Sequence, residues 1–330
     1  MAVLEINDLV VDFETDQGIV QAIDHLTLSV REGEIVGLVG ESGCGKTTVA
    51  RCILGVIPRP PARVRAGEIL FQGEDLLRLS EAELTTRIRG KAITLIPQDP
   101  LTALNPLFPV GVQLGDMLRW GTRRRHRPRA SRERIISMLQ QVQMPSPEAQ
   151  LGKYPHEFSG GQRQRLVIAA ALAPTPALII ADEPTSALDV TVQAQILLML
   201  KSLVQERGTS VLLITHDLGV VAKLCDRVVV MYAGQEAEIA PTASAFSHPS
   251  HPYTWKLLES LPERQRGDIR GIPGVVPPLI DPPQGCRFHT RCEFAIPLCR
   301  QHQPAALEVL PDHWVRCHLF PGEGSYACHA

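Results

Sequence analysis

The segment that most constrains this sequence is a glycine-rich run placed between a strand-like and a helix-like stretch. Residues 35–39 are apolar and strand-like, residues 40–47 read GESGCGKT, and a helix-like stretch follows. The run fits the pattern G-x-x-x-x-G-K-[ST] in the context that a phosphate-binding loop requires. Its glycines let backbone N–H groups surround phosphates, and the helix that follows directs the positive end of its dipole at them. The sequence therefore predicts an α/β protein that binds ATP or GTP.

The side chains of this phosphate loop have separate expected tasks. Lys46 is expected to reach the β- and γ-phosphates, and Thr47 is expected to hold Mg²⁺. The predicted nucleotide contacts of the segment are Gly40, Ser42, Gly43, Cys44, Gly45, Lys46, Thr47 and Thr48.

Composition limits the class of protein. The chain has 330 residues, of which 44% are hydrophobic and 21% are charged, as in globular proteins with a full core. The length is enough for two domains, and the formal net charge of −2 argues neither for nor against nucleic acid. No apolar run approaches the ~20 residues of a membrane-spanning helix, and the first residues lack a secretion signal. We expect a cytoplasmic protein that reaches a membrane only through a partner.

Apolar patterns place strands before and after the phosphate loop. Turn residues separate the first strands, and a proline ends the last of them. The strands predicted in the first hundred residues are 3–6, 9–13, 26–30, 34–39, 67–71 and 91–96.

The later part of the chain alternates helix and strand patterns. Residues from about 100 to 172 are mostly helical. Continuous apolar runs at 177–181 and 210–214 suit strands buried on both faces of a parallel sheet, and the helix-like stretch 192–206 between them completes a βαβ unit. Proline becomes frequent after residue 240, so we place a domain boundary near 235–245.

Acidic side chains follow the first of these buried strands, and a histidine follows the second. Asp182 ends its strand, where a carboxylate suits the Mg²⁺ shell. Glu183 comes next and could polarise an attacking water. His216 follows the neighbouring strand, and because parallel strands end side by side, it could reach the edge of the γ-phosphate. The sequence therefore predicts the catalytic half of a nucleotide site here.

A second phosphate-binding surface is predicted at residues 159–162. Ser159 is a natural N-cap residue for the Ala-rich helix that follows. Gly160 and Gly161 would leave bare N–H groups at that helix N-terminus. One chain does not obviously need two such surfaces for one nucleotide.

Together these motifs resemble a known family, the ATP-binding-cassette (ABC) ATPases. The phosphate loop, Gln98, the run Ser159-Gly160-Gly161-Gln162, the pair Asp182-Glu183, the run 186–189 and His216 occur in the order found in that family. Within it, the chain resembles the ATPase subunits of dipeptide, oligopeptide and nickel importers. The evidence is the segment 98–106, the run His-Pro-Tyr-Thr at 251–254 and the Pro/Cys-rich tail.

The resemblance implies a fold and a domain plan. It implies an α/β P-loop NTPase with a RecA-like core, an antiparallel β subdomain and an inserted α-helical subdomain. The ABC domain would cover residues 1–240, with its helical subdomain and signature motif at about 100–172. A small Pro/Cys-rich C-terminal region of the oligopeptide/dipeptide-transporter type would cover residues 241–330.

The resemblance also implies a role for each motif residue. Phe13 would stack on adenine, Gln98 would couple the γ-phosphate and metal to a membrane partner, and Asp189 would lie at a dimer seam. Glu183 would be the catalytic base and His216 the γ-phosphate switch. The chain departs from the family pattern at Phe158, where leucine is usual, and at Cys44, where serine is usual. Position 44 contributes mainly backbone to the phosphate loop. The contacts to ATP held by the opposite subunit would come from Ser159, Gly160, Gly161 and Gln162.

Four cysteines in the tail leave three interpretations open. Cys286, Cys292, Cys299 and Cys317 lack the paired C-x₂-C spacing of zinc knuckles. They could be unligated thiols, they could bind zinc with nearby histidines, or they could bind a [4Fe–4S] cluster, which suits four cysteine ligands. The resemblance to importer subunits favours the iron–sulfur cluster, and Cys328 would be free.

The resulting prediction is an ATPase subunit that energises import of a small solute. The resemblance favours a di- or oligopeptide as that solute. The implied partners are two transmembrane permease subunits, a second and non-identical ABC subunit, and an external solute-binding protein, with no nucleic acid. The chain would be peripheral, on the cytoplasmic face of the inner membrane. The alternative is a soluble ABC ATPase acting on nucleic acid or ribosomes. The arginine-rich run 123–134 would be a solvated face or a contact with anionic lipid.

Overall fold

The structure is a computed structural model that describes residues 1–122, 128–186, 188–261 and 271–320. The predictions for Arg123 to Arg127 and for Cys328 lie outside these residues. The chain forms two compact units, each assembled from separate stretches of sequence. Unit 1 comprises residues 1–4, 30–35 and 78–214, and unit 2 comprises 5–29, 36–77 and 215–330.

Strands are numbered along the chain. They are β1 (Ala2–Thr15), β2 (Gly18–Arg31), β3 (Ile35–Val39), β4 (Ala62–Phe71), β5 (Glu74–Asp75), β6 (Ile93–Ile96), β7 (Leu178–Asp182), β8 (Ser210–Thr215), β9 (Arg227–Tyr232), β10 (Gln235–Pro241), β11 (Leu307–Leu310) and β12 (His313–Val315).

Helices are numbered in the same way. They are α1 (Lys46–Ile53), α2 (Glu81–Glu83), α3 (Pro100–Ala103), α4 (Val110–Thr122), α5 (Pro128–Gln141), α6 (Pro147–Gln150), α7 (Gly160–Leu172), α8 (Val190–Arg207), α9 (Leu218–Leu224), α10 (Thr242–Ser247), α11 (Pro252–Glu259) and α12 (Pro297–Gln301).

Unit 1 is built on parallel strands that end together. β6, β7 and β8 pair in that order, with Ile96 opposite Ala181 and Asp182 opposite Ile214. Every residue of β8 is buried, and β7 is buried up to Asp182. This confirms the predicted pair of buried strands with a helix, α8, between them. The helices from α3 to α7 confirm the predicted helical stretch.

Unit 2 holds the phosphate loop and two sheet regions. In one, β3 runs parallel to β9, and β9 pairs antiparallel with β10. In the other, the strand order is β2-β1-β4-β5, and the pairing of β4 with β5 is antiparallel. β3 is buried throughout, so the segment that leads into the phosphate loop is fixed by the core.

The first strands are longer than the sequence pattern predicts. The short strands predicted at 3–6 and 9–13 form one strand, β1, which continues through Asp8. Asp8 has a positive φ of 51°, and its N–H donates to the Thr27 hydroxyl. Such a local irregularity interrupts the alternation of side chains without ending the strand, because the paired strand still supplies its hydrogen bonds.

The C-terminal region adds strands to unit 2. β12 pairs antiparallel with β10, placing Val315 opposite Glu238, and β11 pairs with β12. The boundary expected near residues 235–245 therefore falls within β10, which pairs with β9 from before the boundary and with β12 from after it. The domain limits stay a prediction. In the described parts of the chain, no helix combines the length and apolar character that crossing a bilayer requires.

Candidate nucleotide-binding and hydrolysis site

The backbone of the phosphate loop requires glycine at its ends. A Cβ atom on Gly40 would lie 2.1 Å from the carbonyl oxygen of Met231, and one on Gly45 would lie 2.5 Å from that of Ala22. Gly45 also has a φ of 107°, which L side chains rarely adopt. The spacing of the motif is therefore explained by backbone geometry around the loop.

The helix after the loop begins without a side-chain cap. Gly45 is the N-cap residue of α1, and no side chain accepts a hydrogen bond from the first N–H groups. Ser42, Gly43 and Thr47 are exposed. Uncapped N–H groups at a helix N-terminus bind anions, and the loop is open to one.

Lys46 lies inside the loop. Its side chain is buried, and its ammonium donates to the carbonyl oxygens of Gly40 at 2.8 Å and Glu41 at 3.0 Å. The Cys44 sulfur lies 3.6 Å from the same nitrogen. Burial raises the pKa of the Cys44 thiol, against the opposing effect of Lys46, so this thiol stays neutral. The positive charge that a polyphosphate needs is therefore already in place.

The side chains predicted to be catalytic in unit 1 follow the ends of β6 and β7. Gln98 comes two residues after β6, and its amide nitrogen donates to the Glu183 carboxylate at 3.0 Å. Glu183 follows β7 with a φ of 45°, and its N–H donates to the carbonyl oxygen of Ile214 at 2.8 Å. A non-glycine residue held at positive φ is strained, and such strain is concentrated at functional sites. The structure thus brings Gln98 and Glu183 together, and their catalytic roles stay predictions.

Oxygen donors suitable for Mg²⁺ are present in both units. In unit 2, Thr47 is exposed at the start of α1. In unit 1, Asp182 ends β7 and is half-buried, and Gln98, the third predicted Mg²⁺ ligand, is exposed after β6. Mg²⁺ takes one or two such protein ligands together with substrate phosphates. Each of these residues, taken by itself, therefore carries an oxygen donor of the kind that this ion prefers.

Two further predicted residues lie near the ends of strands. His216 is exposed and directly follows β8. Phe13 is half-buried near the end of β1. Their predicted roles toward the γ-phosphate and adenine stay predictions.

The signature segment of unit 1 forms a capped helix start. The Ser159 hydroxyl accepts a hydrogen bond from the Gln162 N–H, and the Gln162 side chain accepts one from the Ser159 N–H. This reciprocal pair is a capping box. A Cβ on Gly161 would lie 2.7 Å from Val192, and one on Gly160 would lie 3.3 Å from Leu188. The glycines are therefore needed for packing against the start of α8 as well as for any phosphate contact.

Asp189 has a structural task of its own. It is the N-cap residue of α8, and its carboxylate accepts a hydrogen bond from the Val192 N–H at 3.0 Å. The predicted place of Asp189 at a dimer seam stays a prediction.

The four tail cysteines do not form a metal-ligand set in the structure. Within the described ranges, no three His, Cys, Asp or Glu side chains converge as a metal site requires. Burial raises the pKa of Cys286 to about 11 and that of Cys317 to about 12, and it also raises the pKa of Cys292. These three thiols are therefore protonated at neutral pH. The expectation of a [4Fe–4S] cluster at Cys286, Cys292, Cys299 and Cys317, or of zinc, is not supported.

Sequence reasoning did not identify two neighbours of the phosphate loop. The Glu41 N–H donates to the Tyr253 hydroxyl at 3.0 Å, and Arg291 forms an ion pair with the Glu41 carboxylate. The sequence showed Tyr253 only as part of a motif, and Arg291 only as the neighbour of a cysteine. Nothing in local sequence connects either residue to a loop more than 200 positions away.

Comparison with known proteins decides the family. Residues 23–186 match the ABC transporter family, and residues 237–299 match the C-terminal region of oligopeptide/dipeptide transporters. A probable peptide ABC transporter ATP-binding protein, y4tR of Sinorhizobium fredii, is 45% identical over 95% of this chain and 94% of that protein. The chain belongs to the ABC transporter ATPases that carry the oligopeptide/dipeptide transporter C-terminal region.

Further relatives support the same assignment for this ABC ATPase. The oligopeptide transport ATP-binding protein OppD of Bacillus subtilis is 45% identical over 96% of this chain and 88% of its own length. The dipeptide transport ATP-binding protein DppD of Escherichia coli is 42% identical over 96% of this chain and 97% of its own length.

A solved structure confirms the fold class. The ABC protein MJ0796, in a dimeric post-hydrolysis state with ADP and phosphate, aligns with a TM-score of 0.65 and 27% identity over 72% of this chain and 98% of that one. The α/β P-loop NTPase fold is confirmed, and the chain is an ATPase by family.

Proposed function

We propose that this ATPase energises the import of di- or oligopeptides through a membrane transporter. The observation that carries the proposal is the hydrogen bond from Gln98 to Glu183 after β6 and β7, in a chain that also holds a complete phosphate loop. The names of the relatives, peptide ABC transporter ATP-binding proteins, supply the class of solute.

Each residue has a task in the proposed reaction. Lys46 and the N–H groups of the loop bind the phosphates. Thr47, Gln98 and Asp182 would hold Mg²⁺, which would supply positive charge to the phosphoryl oxygens. Glu183 accepts a proton from the attacking water, and Gln98 keeps that carboxylate oriented. His216 contacts the γ-phosphate, and Phe13 stacks on adenine.

The proposal includes a second ABC subunit, non-identical to this one. Ser159, Gly160, Gly161 and Gln162 would contact the ATP held by that subunit. Asp189 would lie at the seam between the two. The precedent is the dimeric ABC protein MJ0796. A pair of ABC subunits would close on ATP and reopen after hydrolysis, as expected of a nucleotide-driven two-state change.

An apolar surface of unit 1 supports a permease partner. Leu101, Leu107, Phe108 and Val112 follow Gln98 along the chain, and each has about half or more of its surface exposed. An adjoining groove of about 420 Å³ is lined by residues of β6, α3, α4 and α7, among them Trp120. Exposed apolar clusters of this kind mark protein interfaces. Two permease subunits would place the ATPase at the cytoplasmic face of the inner membrane, and an external solute-binding protein would deliver the peptide.

We include neither an iron–sulfur cluster nor zinc in the proposal. The described side chains of Cys286, Cys292, Cys299 and Cys317 form no metal-ligand set, and no step of ATP hydrolysis needs these thiols.

Co-purification from native membranes tests the proposal. A tagged full chain should retain two membrane permeases and a second ABC subunit. Leu101→Glu should abolish that retention while leaving ATP binding unchanged. Leu310 is about equally exposed elsewhere, and Leu310→Glu should leave both the retention and ATP binding unchanged. Recovery with ribosomes or nucleic acid, and without permeases, would contradict the importer function and favour the soluble alternative.

A further inference from the structure

The C-terminal region contacts the phosphate loop through a buried arginine. Arg291 forms two hydrogen bonds with the Glu41 carboxylate, at 2.6 Å and 3.1 Å. The Arg291 side chain is 3% exposed and that of Glu41 is 30% exposed. A paired geometry of this kind is stronger and more directional than a single charge contact.

Arg291 is itself held from several sides. It donates to the carbonyl oxygens of Pro273 at 2.9 Å and Ile272 at 3.2 Å, and to the Tyr232 hydroxyl at 3.3 Å. Its guanidinium group therefore has one position, and that position fixes the Glu41 carboxylate.

The same end of the loop is held by a second residue of the C-terminal region. The Tyr253 hydroxyl accepts a hydrogen bond from the Glu41 N–H, and the Tyr253 ring is fully buried. This ring packs against Tyr232 at 4.6 Å and Phe288 at 5.3 Å between ring centroids. Both the backbone and the side chain of Glu41 are thus tied to the C-terminal region.

The other end of the loop rests on a turn that the same region fixes. The Cys44 carbonyl oxygen accepts a hydrogen bond from the Gly234 N–H at 3.0 Å. Arg287 donates to the carbonyl oxygen of Ala233, the residue before that glycine, and pairs with Asp24 at 2.8 Å. Arg287 and Arg291 therefore support the two ends of the loop.

The positive charge of Arg291 compensates the Glu41 carboxylate in addition to any contribution to packing. Glu41 places a carboxylate within a loop that binds a polyanion, and an uncompensated carboxylate there would repel the phosphates. Arg291 neutralises this carboxylate through the paired contact described above.

We propose that Arg291 is a positioning residue of the ATPase, which neutralises and anchors Glu41 so that the phosphate loop binds ATP. The C-terminal region is then part of the nucleotide site. The inference rests on nucleotide binding at this loop and is independent of the transported solute.

Titration of a fluorescent ATP analogue into the full chain tests the inference. Arg291→Gln should raise the Kd by about tenfold, a change of about 1.4 kcal/mol, because the Glu41 carboxylate is left unpaired. The double variant R291Q/E41Q should bind within about twofold of the wild type, since it has no carboxylate to repel phosphate. Denaturant unfolding of both variants separates this role from one in the fold alone, because a purely structural role predicts a wild-type Kd for the single variant under conditions where it is fully folded. The steady-state KM should follow the Kd, with kcat nearly unchanged.

Controls separate the possible failures. Lys256→Gln removes the ion pairs that a half-buried lysine of the same region forms with Glu293 and Glu259, and it should leave the Kd unchanged. If Arg291→Gln does not fold, Arg291→Lys takes its place, with an expected rise of about threefold that E41Q again removes. An unchanged Kd in the single variant, or a double variant that binds as weakly as the single one, would overturn the inference. A wild-type chain that binds no ATP would instead overturn the ATPase assignment.

Discussion

The phosphate loop and the four tail cysteines differ in what their sequence patterns specify. The loop pattern contains residues that fix backbone conformation, and Gly40 and Gly45 occupy positions where a Cβ would meet a carbonyl oxygen. The cysteine pattern names only possible ligands, separated by five, six and seventeen residues. Backbone connects two of them, since the Cys286 N–H donates to the Cys299 carbonyl oxygen, yet the described side chains form no ligand set.

Within the C-terminal region, arginines rather than cysteines contact the phosphate loop and its supporting turn. Its cysteines are buried or half-buried and form no ligand set among the described residues, whereas its Arg287 and Arg291 support the loop. The residues that stood out in the sequence are therefore not the ones that contact the functional element.

The largest expected effect comes from a substitution that disrupts the backbone of the phosphate loop. In Gly40→Ala the new Cβ meets a backbone oxygen that has no space to retreat, so we expect ATP binding to fall by about 10³-fold or more. Gly43→Ala is the matched control, since a Cβ there meets nothing within 4 Å and only its φ of 83° opposes alanine. Titration with an ATP analogue measures both. Equal affinities in the two variants would contradict the backbone explanation.

A smaller effect tests the support of the loop by the C-terminal region. Burial lowers the pKa of His251 to about 4, and its ring nitrogen accepts a hydrogen bond from the Tyr253 N–H. The folded pKa lies below the unfolded one, so this stabilisation is present above pH 6.5 and is lost as the pH falls through about 4. The loss should reach about 3 kcal/mol of unfolding free energy.

Denaturant unfolding between pH 7 and pH 4 measures this acid sensitivity. His251→Asn, which keeps an acceptor for the Tyr253 N–H, should reduce the acid sensitivity, and the exposed His248→Asn should not. Identical pH profiles for wild type and His251→Asn would contradict the assignment.

The smallest expected effect concerns the cysteines. With pKa values of about 11 and about 12, Cys286 and Cys317 hold little thiolate at pH 8. Alkylation should be about 10²-fold slower than for an unperturbed thiol and should accelerate with rising pH, because the thiolate is the nucleophile. Mass spectrometry of quenched samples measures the rate at each site. Stoichiometric iron or zinc in purified protein would refute the unligated state and restore the ligand interpretation.

Much of the fold and half of the site follow from sequence. Residues 40–47, the buried strands before Asp182 and His216, and the capping residue Ser159 are specified by local patterns of glycine, apolar residues and N-cap residues. Local patterns do not specify the contacts of Glu41 with Tyr253 and Arg291, because these contacts join residues more than 200 positions apart. The full length of β1 was also missed, since the irregularity at Asp8 hides the pairing that continues past it.

The most direct test of the account is ATP turnover by the Glu183→Gln variant beside its affinity for ATP. Glu206→Gln, which changes an exposed acid on α8, is the control. We predict that Glu183→Gln binds ATP within about twofold of the wild type and loses turnover by about 10²-fold or more, because the base is gone while the phosphate loop is intact. Undiminished turnover in Glu183→Gln would contradict the assignment of the carboxylate after β7 as the catalytic base.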